Sequence, residues 1–511
     1  MTGLVLDAPR RLAVEWPRAA KLAATVVVLV LVVVRSILAL GAAGSEMDEG
    51  DSLVYGDRVG HGDLPWRDFE TFYGPANPYL IQVAYRVFGT DVFAERLVAL
   101  GFRLVLVAAL LTLAWRFDIV GFLASAAATL VLVPATDLFA WPGIEVVAVL
   151  AAELVVLARR HALAAGALAA FAVLVRWDYA PAALLAAVPF VLRRDVSWKR
   201  FGAAFVAVAA LYVPILVAAH ARLAQVAGDI ARGADGRKLP IPSPSSYPGN
   251  VLRAGLIAVA FLVVVGAIAF FRRGDLRQRI LLGAGLASVG SLPHVLSRPE
   301  RTHVIAGTIL PLTLFPLLVS DGVRRLSRRV AMFAVLGIAV VALDLAAILS
   351  TGQLRPLFRP QPAPSATIRH AGRSFPLRDP VTAAHVQSVV DAAARSAPRG
   401  SRLFVGPRDL RRTNYADTYV YFLLPEFRPA SFYVELEPGT LNENGARAVA
   451  ELRNADLLIL TTLWDEWNEP NTSREYGSPA PNRFVASHFC ETFRKGEYAL
   501  FVRRDANGRC D

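Results

Sequence analysis

Apolar blocks long enough to cross about 30 Å of hydrocarbon recur along this chain from Lys21 to about Ser350. The composition agrees, since 55% of the 511 residues are hydrophobic and only 19% are charged. A purely soluble enzyme and a fibrous or disordered chain are therefore excluded. The sequence predicts a polytopic α-helical membrane protein whose last third, which is mixed and turn-rich, forms a separate soluble domain.

The apolar blocks predict about eleven membrane spans. Those between 143 and 192 are short, so tilted, re-entrant or merged segments remain open there. The first block has no cleavage site followed by a soluble chain, which predicts a retained span rather than a signal peptide. The spans are placed at roughly 22–43, 95–115, 119–135, 143–158, 162–176, 179–192, 201–219, 251–271, 280–297, 304–320 and 330–350.

Basic clusters predict the orientation, because they fall on every second connection between spans. The N-terminal residues 1–21 are then cytoplasmic, and the acidic loop after the first span lies outside together with everything after about Thr351. Ala, Val, Leu and Arg are frequent while Lys is rare, which indicates a bacterium with a GC-rich genome. We therefore expect a multi-pass protein of the bacterial cell membrane. The clusters include Arg10/Arg11/Arg18/Lys21, Arg159/Arg160, Arg193/Arg194/Lys199/Arg200, Arg272/Arg273/Arg277/Arg279 and Arg324/Arg325/Arg328/Arg329.

The predicted organisation has three parts after the N-terminus: a transmembrane domain over 22–350 with an outer loop at 44–94, a Pro-rich linker over 351–380, and an extracytoplasmic α/β domain over 381–511. In the last part, strands are expected at 403–405, 431–435, 456–461, 491–494 and 498–503, with helices near 382–396, 416–424 and 443–453. Cys490 and Cys510 can pair only in an oxidising compartment.

The net charge of +12 does not indicate nucleic-acid binding. Many of the basic residues lie in short clusters between apolar blocks, where they orient helices instead of forming a continuous groove. We therefore expect membrane lipid, and no nucleic acid, among the partners.

The outer loop Ser45–Ala94 carries the most informative pattern. Asp48 and Glu49 follow the first span closely, so a carboxylate is expected near the headgroups, where it can act as a general base toward an acceptor hydroxyl. A merely solvated acidic loop is the alternative. The interleaved aromatic and glycine residues, and an amphipathic helix expected over 75–88, favour a structured loop instead.

A first span, the acidic pair, the stretch G-x-x-P-W-R-D-F-E-x-F-Y-G-P, an interfacial helix ending in F-G, and Arg96 at the next span together resemble the GT-C superfamily of integral-membrane glycosyltransferases. The closer branch includes protein O-mannosyltransferases and the aminoarabinose transferase of lipid A. The resemblance implies a polyprenyl-phosphate-sugar donor and a catalytic base in the first outer loop. By motif, Asp48 matches the base, Glu49 its neighbour, and Asp68 a second candidate on the acceptor or metal side.

The family often has two adjacent prolines where this chain has Gly74-Pro75, so the subfamily and the acceptor stay open.

A second candidate cluster lies between the ninth and tenth spans, in the stretch SLPHVLSRPERTHVIAG. Its positive charge lies on the outer side, against the bias that sorts the other clusters, which invites a functional explanation. Related glycosyltransferases place basic residues of a late outer loop against the donor phosphate, so the resemblance implies that role for Arg298, His294, His303 and Arg301. Arginines that cap helix ends and reach the headgroups are the alternative. The substrate cavity is expected to be lined by Tyr55, Trp66, Arg67, Tyr73, Arg176 and Asp178.

These patterns favour a glycosyltransferase that moves a sugar from a polyprenyl-phosphate-linked donor to an extracytoplasmic acceptor of the cell envelope, which is a glycan, a lipid or a protein. A lipid or glycolipid transporter or flippase is the main alternative, although no internal repeat supports it. An inactive scaffold is a third reading. A divalent metal has plausible ligands in the acidic loop and the histidines, but their spacing does not demand one.

Overall fold

The computed structural model describes residues 8–322, 364, 366–412, 415–438, 440–441, 445–505 and 507–509. Ten of the eleven predicted spans coincide with helices, and the eleventh, at 330–350, lies outside the described residues. Over the described part of the chain, the helices up to the last described span are α1 (Ala8–Ala39), α2 (Asp48–Gly60), α3 (Ala76–Phe88), α4 (Val92–Ala114), α5 (Ile119–Leu132), α6 (Pro142–Ala158), α7 (Ala162–Val175), α8 (Ala180–Leu192), α9 (Trp198–Ala209), α10 (Val213–Ala219), α11 (Leu223–Gly236), α12 (Tyr247–Arg272), α13 (Leu276–Ser297) and α14 (Arg301–Gly322).

Six helical stretches among the described residues are long and apolar enough to cross a membrane: Pro17–Ala39, Val92–Ala114, Trp198–Gly236, Tyr247–Arg272, Leu276–Ser297 and Arg301–Ser320. Several of the remaining apolar helices are shorter, as their sequences predicted. Small side chains dominate the interfaces between helices, for example Ala165, Ala169 and Ala172 on α7, which lets the backbones approach closely. Many helix starts are capped by a side chain, such as Asp91, Asp118 and Asp275, that accepts a backbone N–H.

One membrane segment is longer than predicted. The span expected at 201–219 continues through α11 to Gly236, because short 3₁₀ turns at Ala210–Tyr212 and His220–Arg222 join its three helices. α11 then contacts the C-terminal part of the chain, where Asp229 accepts a hydrogen bond from Tyr433 at 2.8 Å and pairs with Arg447 at 2.8 Å.

The C-terminal part is an α/β unit. A five-stranded sheet has the order β4-β3-β5-β7-β6, in which β4, β3 and β5 are parallel and β7 and β6 are antiparallel to their neighbours. β5 is buried at every position, as a central strand should be. The strands are β3 (Arg402–Pro407), β4 (Arg428–Pro429), β5 (Leu457–Thr461), β6 (Phe489–Lys495) and β7 (Tyr498–Arg503), and the helices are α15 (Pro380–Ser396), α16 (Tyr419–Leu423), α17 (Gly445–Arg453) and α18 (Ala480–His488).

Three local expectations differ from the structure. Residues 431–435 are irregular instead of a strand, because the Phe432 N–H and C=O bond to Glu451 and to the Glu70 N–H, so neither joins the sheet ladder. α18 had no counterpart in the sequence prediction. Within the range expected to be a Pro-rich linker, β1 (Ala366–His370) and β2 (Arg373–Leu377) form an antiparallel hairpin. The fold class nevertheless agrees with the prediction: a polytopic helical membrane protein with a C-terminal α/β domain.

α2 joins the two parts of the molecule. Leu53, Val54 and Tyr55 belong to the same apolar core as Phe375 of the hairpin and Phe422 of α16. Gly50 permits this approach, since a Cβ there would lie 2.4 Å from the Thr418 Oγ1 and 2.6 Å from the Tyr419 backbone N. Arg373 closes the contact with two bonds to Asp57, at 2.8 and 3.0 Å. The outer loop and the C-terminal domain therefore share one core and hold each other in place.

Candidate active site

Asp48 opens α2 and faces a cavity between the outer loop, the membrane helices and the C-terminal domain. Acidic residues in the first turn suit the positive end of the helix dipole. The Asp48 side chain remains accessible to water within the cavity, although protein surrounds it. Burial by the surrounding protein and the negative charges of Glu300 and Glu437 raise the pKa of Asp48 from 3.8 to about 6. The positive charge of Arg298 offsets only part of this increase.

Arg298 follows α13 and lies within electrostatic range of Asp48. Its guanidinium bonds to Glu300 at 3.1 and 3.3 Å and to Glu469 of the C-terminal domain at 3.0 Å. The Tyr415 hydroxyl completes the group by donating to Glu469 at 2.8 Å. Because of Arg298 and His303, the pKa of the Glu300 carboxyl falls to about 2 in spite of its burial. Arg298 therefore stays charged and in a fixed position beside Asp48.

Arg176, after α7, forms a second cationic element. Two bonds at 3.0 and 2.7 Å tie it to Asp178, and the guanidinium lies 4.9 Å from the centre of the Tyr73 ring. His294 of α13 contacts it at 3.1 Å. The Nη1 of Arg176 is buried without a hydrogen-bond partner among the described residues. A buried guanidinium with one unused donor is suited to an anion that enters the cavity.

Arg237, directly after α11, supplies a third guanidinium. It pairs with Glu437 and lies 4.3 Å from the centre of the Phe72 ring. Glu435, two residues before Glu437, accepts a hydrogen bond from Tyr55 at 3.3 Å. Desolvation and the charge of Asp51 raise the pKa of Glu435 well above its ordinary range. Glu435 is thus the carboxylate that the C-terminal domain contributes to the wall of the cavity.

The two histidines of the second candidate cluster lie together. The rings of His294 and His303 are 4.9 Å apart, and the His303 Nδ1 lies 2.8 Å from a Glu300 carboxylate oxygen while its ring packs edge-on against Trp141. His294 is within electrostatic range of Arg176, Arg237 and Arg298. The structure therefore gathers three arginines and two histidines within electrostatic range of one another, and Arg298 among them is also within electrostatic range of Asp48.

Comparisons of the sequence find no matching protein family and no matching curated protein. Comparisons of the structure do find matches. ArnT from Cupriavidus metallidurans bound to undecaprenyl phosphate superposes with a TM-score of 0.53 at 13% identity, over 95% of this chain and 99% of that chain. Its apo state gives 0.51 at 14% identity, over 96% and 100%. The chain has the GT-C fold.

An archaeal structure agrees with this assignment. The Archaeoglobus fulgidus oligosaccharyltransferase in its apo form superposes with a TM-score of 0.50 at 12% identity, over 95% of this chain and 75% of that chain. The fold expected from the first outer loop is thereby confirmed, and with it a multi-pass membrane protein. At such low identity the likeness concerns the fold, and the chemistry has to be argued from this chain's own residues.

Within the GT-C fold, Asp48 and Glu49 have separate environments. Glu49 is almost fully buried and forms a two-bond ion pair with Arg96 of α4, at 2.6 and 2.8 Å. Arg96 also donates to the carbonyls of Leu40 and Ala42 at the end of α1. Glu49 therefore fastens α2 to two membrane helices and does not face the cavity of Asp48.

Asp68 lies in a tight turn away from Asp48. Its carboxylate accepts from the Leu64 N–H and from Arg67, both at 2.8 Å. Burial alone would raise its pKa, but these hydrogen bonds hold the pKa below the ordinary value. The structure does not bring Asp68, or its neighbour Arg67, into the cavity of Asp48.

Other candidates are divided between the cavity and the core. Tyr55 and Tyr73 line the cavity, whereas Trp66 is buried in the core, where it stacks on Tyr212 at 5.7 Å. Arg301 points elsewhere: it contacts the Ala135 carbonyl at 3.5 Å and the ring of Tyr247. Of the four residues expected at the donor phosphate, Arg298, His294 and His303 are thus brought together.

Sequence reasoning missed several residues of the cavity. Arg237 carried a usable signal, since it too places a positive charge on the side that the basic clusters predict to be the outer one. Asp51 lies one turn after Asp48, so only a prediction of the helix over 48–60 would have placed it on the same side as Asp48. Glu300 lay inside the stretch that was singled out but was not selected, and Glu435, Glu437 and Glu469 lie more than 380 positions from Asp48, so only the fold unites them with it.

Metal ligation receives no support from the geometry: among the described residues there is no group of three or more His, Cys, Asp or Glu side chains arranged to hold a metal ion. A carboxylate that faces a set of fixed guanidiniums can take a proton from an incoming hydroxyl while a phosphate departs toward the arginines.

Proposed function

We propose that the protein is a membrane glycosyltransferase that moves a sugar from a polyprenyl-phosphate-linked donor to an extracytoplasmic acceptor of the bacterial cell envelope, which is a glycan, a lipid or a protein. The observation that carries the proposal is that Asp48 faces a cavity within electrostatic range of Arg298, which ion pairs with Glu300 and Glu469 hold in place. The GT-C fold supports it, since a structure of that fold was solved bound to undecaprenyl phosphate.

The proposed reaction is a single displacement. The acceptor oxygen attacks the anomeric carbon and gives up its proton to the Asp48 carboxylate. The bond from the anomeric carbon to the phosphate oxygen breaks, and its electron pair leaves with the lipid phosphate. Arg298, Arg176 and Arg237 stabilise the charge that develops on that phosphate, because they are held in place before the reaction by Glu300, Asp178 and Glu437.

The orientation belongs to the same proposal: the N-terminus is cytoplasmic and the C-terminal domain is extracytoplasmic. The basic clusters on alternate connections support it. Cys490 supports it too, since it is disulfide-bonded and such bonds persist in oxidising compartments. The other cysteine of the sequence, Cys510, lies outside the described residues.

The test is transfer of radiolabelled sugar from a panel of polyprenyl-phosphate sugars to membrane extracts by the purified protein. Asp48→Asn should lower the rate by about 10²–10⁴-fold, the usual share of a general base. Glu475→Gln is the matched control, because it also neutralises one carboxylate but lies exposed on the C-terminal domain.

Two results would contradict the proposal. The first is equal transfer by wild type and a folded Asp48→Asn variant. The second is the absence of transfer from every donor together with movement of labelled lipid across vesicles that contain the protein, which would establish the flippase instead.

A further inference from the structure

A second cavity lies at the opposite end of α2 from Asp48. The last turn of α2, the turn over 61–68 and the edge of the sheet at β4 enclose a groove of about 660 Å³. This size falls in the range of about 300–1,000 Å³ that is typical of ligand sites. Since Arg58 lies ten residues after Asp48 on the helix, the groove begins roughly 15 Å from that carboxylate. We name it the arginine groove after the residues Arg222, Arg399, Arg402 and Arg428 in its wall.

Three of these arginines lie close together and, among the described residues, without acidic partners. Arg402 and Arg428 stand directly opposite each other on the parallel strands β3 and β4, and Arg399 precedes them in the same wall. All three are exposed, and within the described part of the chain no side chain pairs or hydrogen-bonds with their guanidiniums. Like charges directly opposite on neighbouring strands destabilise a sheet. A bound anion would remove that cost.

The acidic side chains of the groove do not neutralise this charge, because each is already engaged. Asp63 pairs with Arg58, Asp68 with Arg67, Asp57 with Arg373, and Glu426 with His370. Their remaining lone pairs can still accept hydrogen bonds from neutral donors such as hydroxyl groups. The groove therefore offers free cations for anionic groups and fixed carboxylate oxygens for hydroxyls.

A ligand that carries both kinds of group is an acidic saccharide. A nucleic acid has few hydroxyl groups to donate to the four carboxylates of the groove, and a membrane surface cannot follow a concave groove. Guanidiniums suit either a carboxylate or a phosphate on the sugars, since their planar fork matches both.

We propose that the arginine groove binds an acidic saccharide segment of the acceptor, at a distance from the sugar that reacts at Asp48. This inference rests on the proposed function, whose acceptor class it narrows to glycans or glycolipids that bear carboxylate or phosphate groups.

The test measures binding by isothermal titration of the full-length protein in neutral detergent, without any donor. The probes are tetragalacturonate and a phosphorylated mannose pentasaccharide, with a neutral tetrasaccharide of glucose for comparison. The groove variant is Arg399→Gln/Arg402→Gln/Arg428→Gln. Its matched control, Arg395→Gln/Arg453→Gln/Arg474→Gln, changes the net charge equally at exposed arginines outside the groove.

At least one acidic probe should bind the wild type more tightly than the neutral saccharide, and the groove variant should weaken that binding tenfold or more while the control does not. The melting temperature of the groove variant should equal or exceed that of the wild type, because the opposed charges of β3 and β4 are gone. Equal weakening in both variants would overturn the proposal, as would acidic probes that bind no better than the neutral one.

Failure of this inference and failure of the proposed function are separate results. Binding is measured without transfer, so Asp48→Asn should leave it unchanged. Loss of transfer in Asp48→Asn without groove binding would leave a glycosyltransferase whose acceptor is recognised elsewhere.

Discussion

Asp48 and Glu49 are neighbours in sequence with nearly the same side-chain chemistry, yet they face two different regions of the molecule. About 100° of helix rotation separates them. Asp48 faces the cavity, where its pKa is raised to about 6. Glu49 faces the junction of α1 and α4, where Arg96 holds both of its oxygens. The difference shows that the phase of the helix decides the environment of each member of an acidic pair.

The negative charge of the side chain affects the stability of the fold differently in the two environments. A buried carboxylate with a two-bond guanidinium partner becomes costly only when its partner is removed. An unpaired carboxylate that protein surrounds and that carboxylates repel is costly as it stands, and such groups are frequent where they react. The following predictions separate the structural carboxylate from the proposed catalytic one.

The largest expected effect is on stability. Glu49→Gln leaves the Arg96 guanidinium buried without its counter-ion, which should reduce the free energy of unfolding by about 3–5 kcal/mol, nearer the lower figure because backbone carbonyls also hold Arg96. Scanning fluorimetry of the detergent-solubilised protein measures the shift. A double-mutant cycle with Arg96→Gln should show strong coupling. An unchanged midpoint in Glu49→Gln would mean that the ion pair does not fasten α2.

The second prediction concerns the rate of sugar transfer and the arginines near Asp48. Arg298→Gln removes one fixed charge from the proposed phosphate position, so the rate of transfer should fall by about 10²–10³-fold. Arg301→Gln should have a smaller effect, since Arg301 points to Ala135 and Tyr247. Arg474→Gln, which makes the same charge change at an exposed site, is the control. Comparable losses in all three variants would argue against a localised phosphate site.

Sequence reasoning could find Asp48 and Arg298 because each carries a local signal. Asp48 follows the first span in an acidic, aromatic loop, and Arg298 puts a positive charge on the side where the bias disfavours one. The separate role of Glu49 was out of reach, because the segment DEGDSLVYGDRVG has glycines and a weak helical pattern that hide its phase. Glu435 and Glu437 could not be placed at all, since no local pattern specifies a contact with a loop nearly 400 residues away.

The pH dependence of sugar transfer provides a third test, which concerns Asp48. If the ionised form of Asp48 takes the proton, kcat/KM should fall about tenfold per pH unit below a midpoint near pH 6, its pKa in the free enzyme. A profile of sugar transfer between pH 4.5 and 8 measures it. The residual activity of Asp48→Asn should lack this limb. An acidic limb that persists in Asp48→Asn would assign the titration to another group.

The smallest expected effect is a gain in stability. The pKa of Asp48 is about 6 in the folded state and near its ordinary value of 3.8 in the unfolded chain. Between these values the folded protein binds more protons, so the contribution of this group to stability falls as the pH rises through that window, and stays low above it. Asp48→Asn removes a charge that the fold disfavours. Its melting temperature should therefore exceed that of the wild type at pH 8 and approach it at pH 4.

Glu49→Gln should behave in the opposite way at pH 8, with a lower melting temperature than the wild type. Two neighbouring substitutions of the same kind would then shift stability in opposite directions, which no general effect of removing negative charge can produce. If both variants melt below the wild type at pH 8, Asp48 is a structural carboxylate like Glu49, and the base of the proposed reaction has to be sought among Asp51 and Glu435 on the same cavity wall.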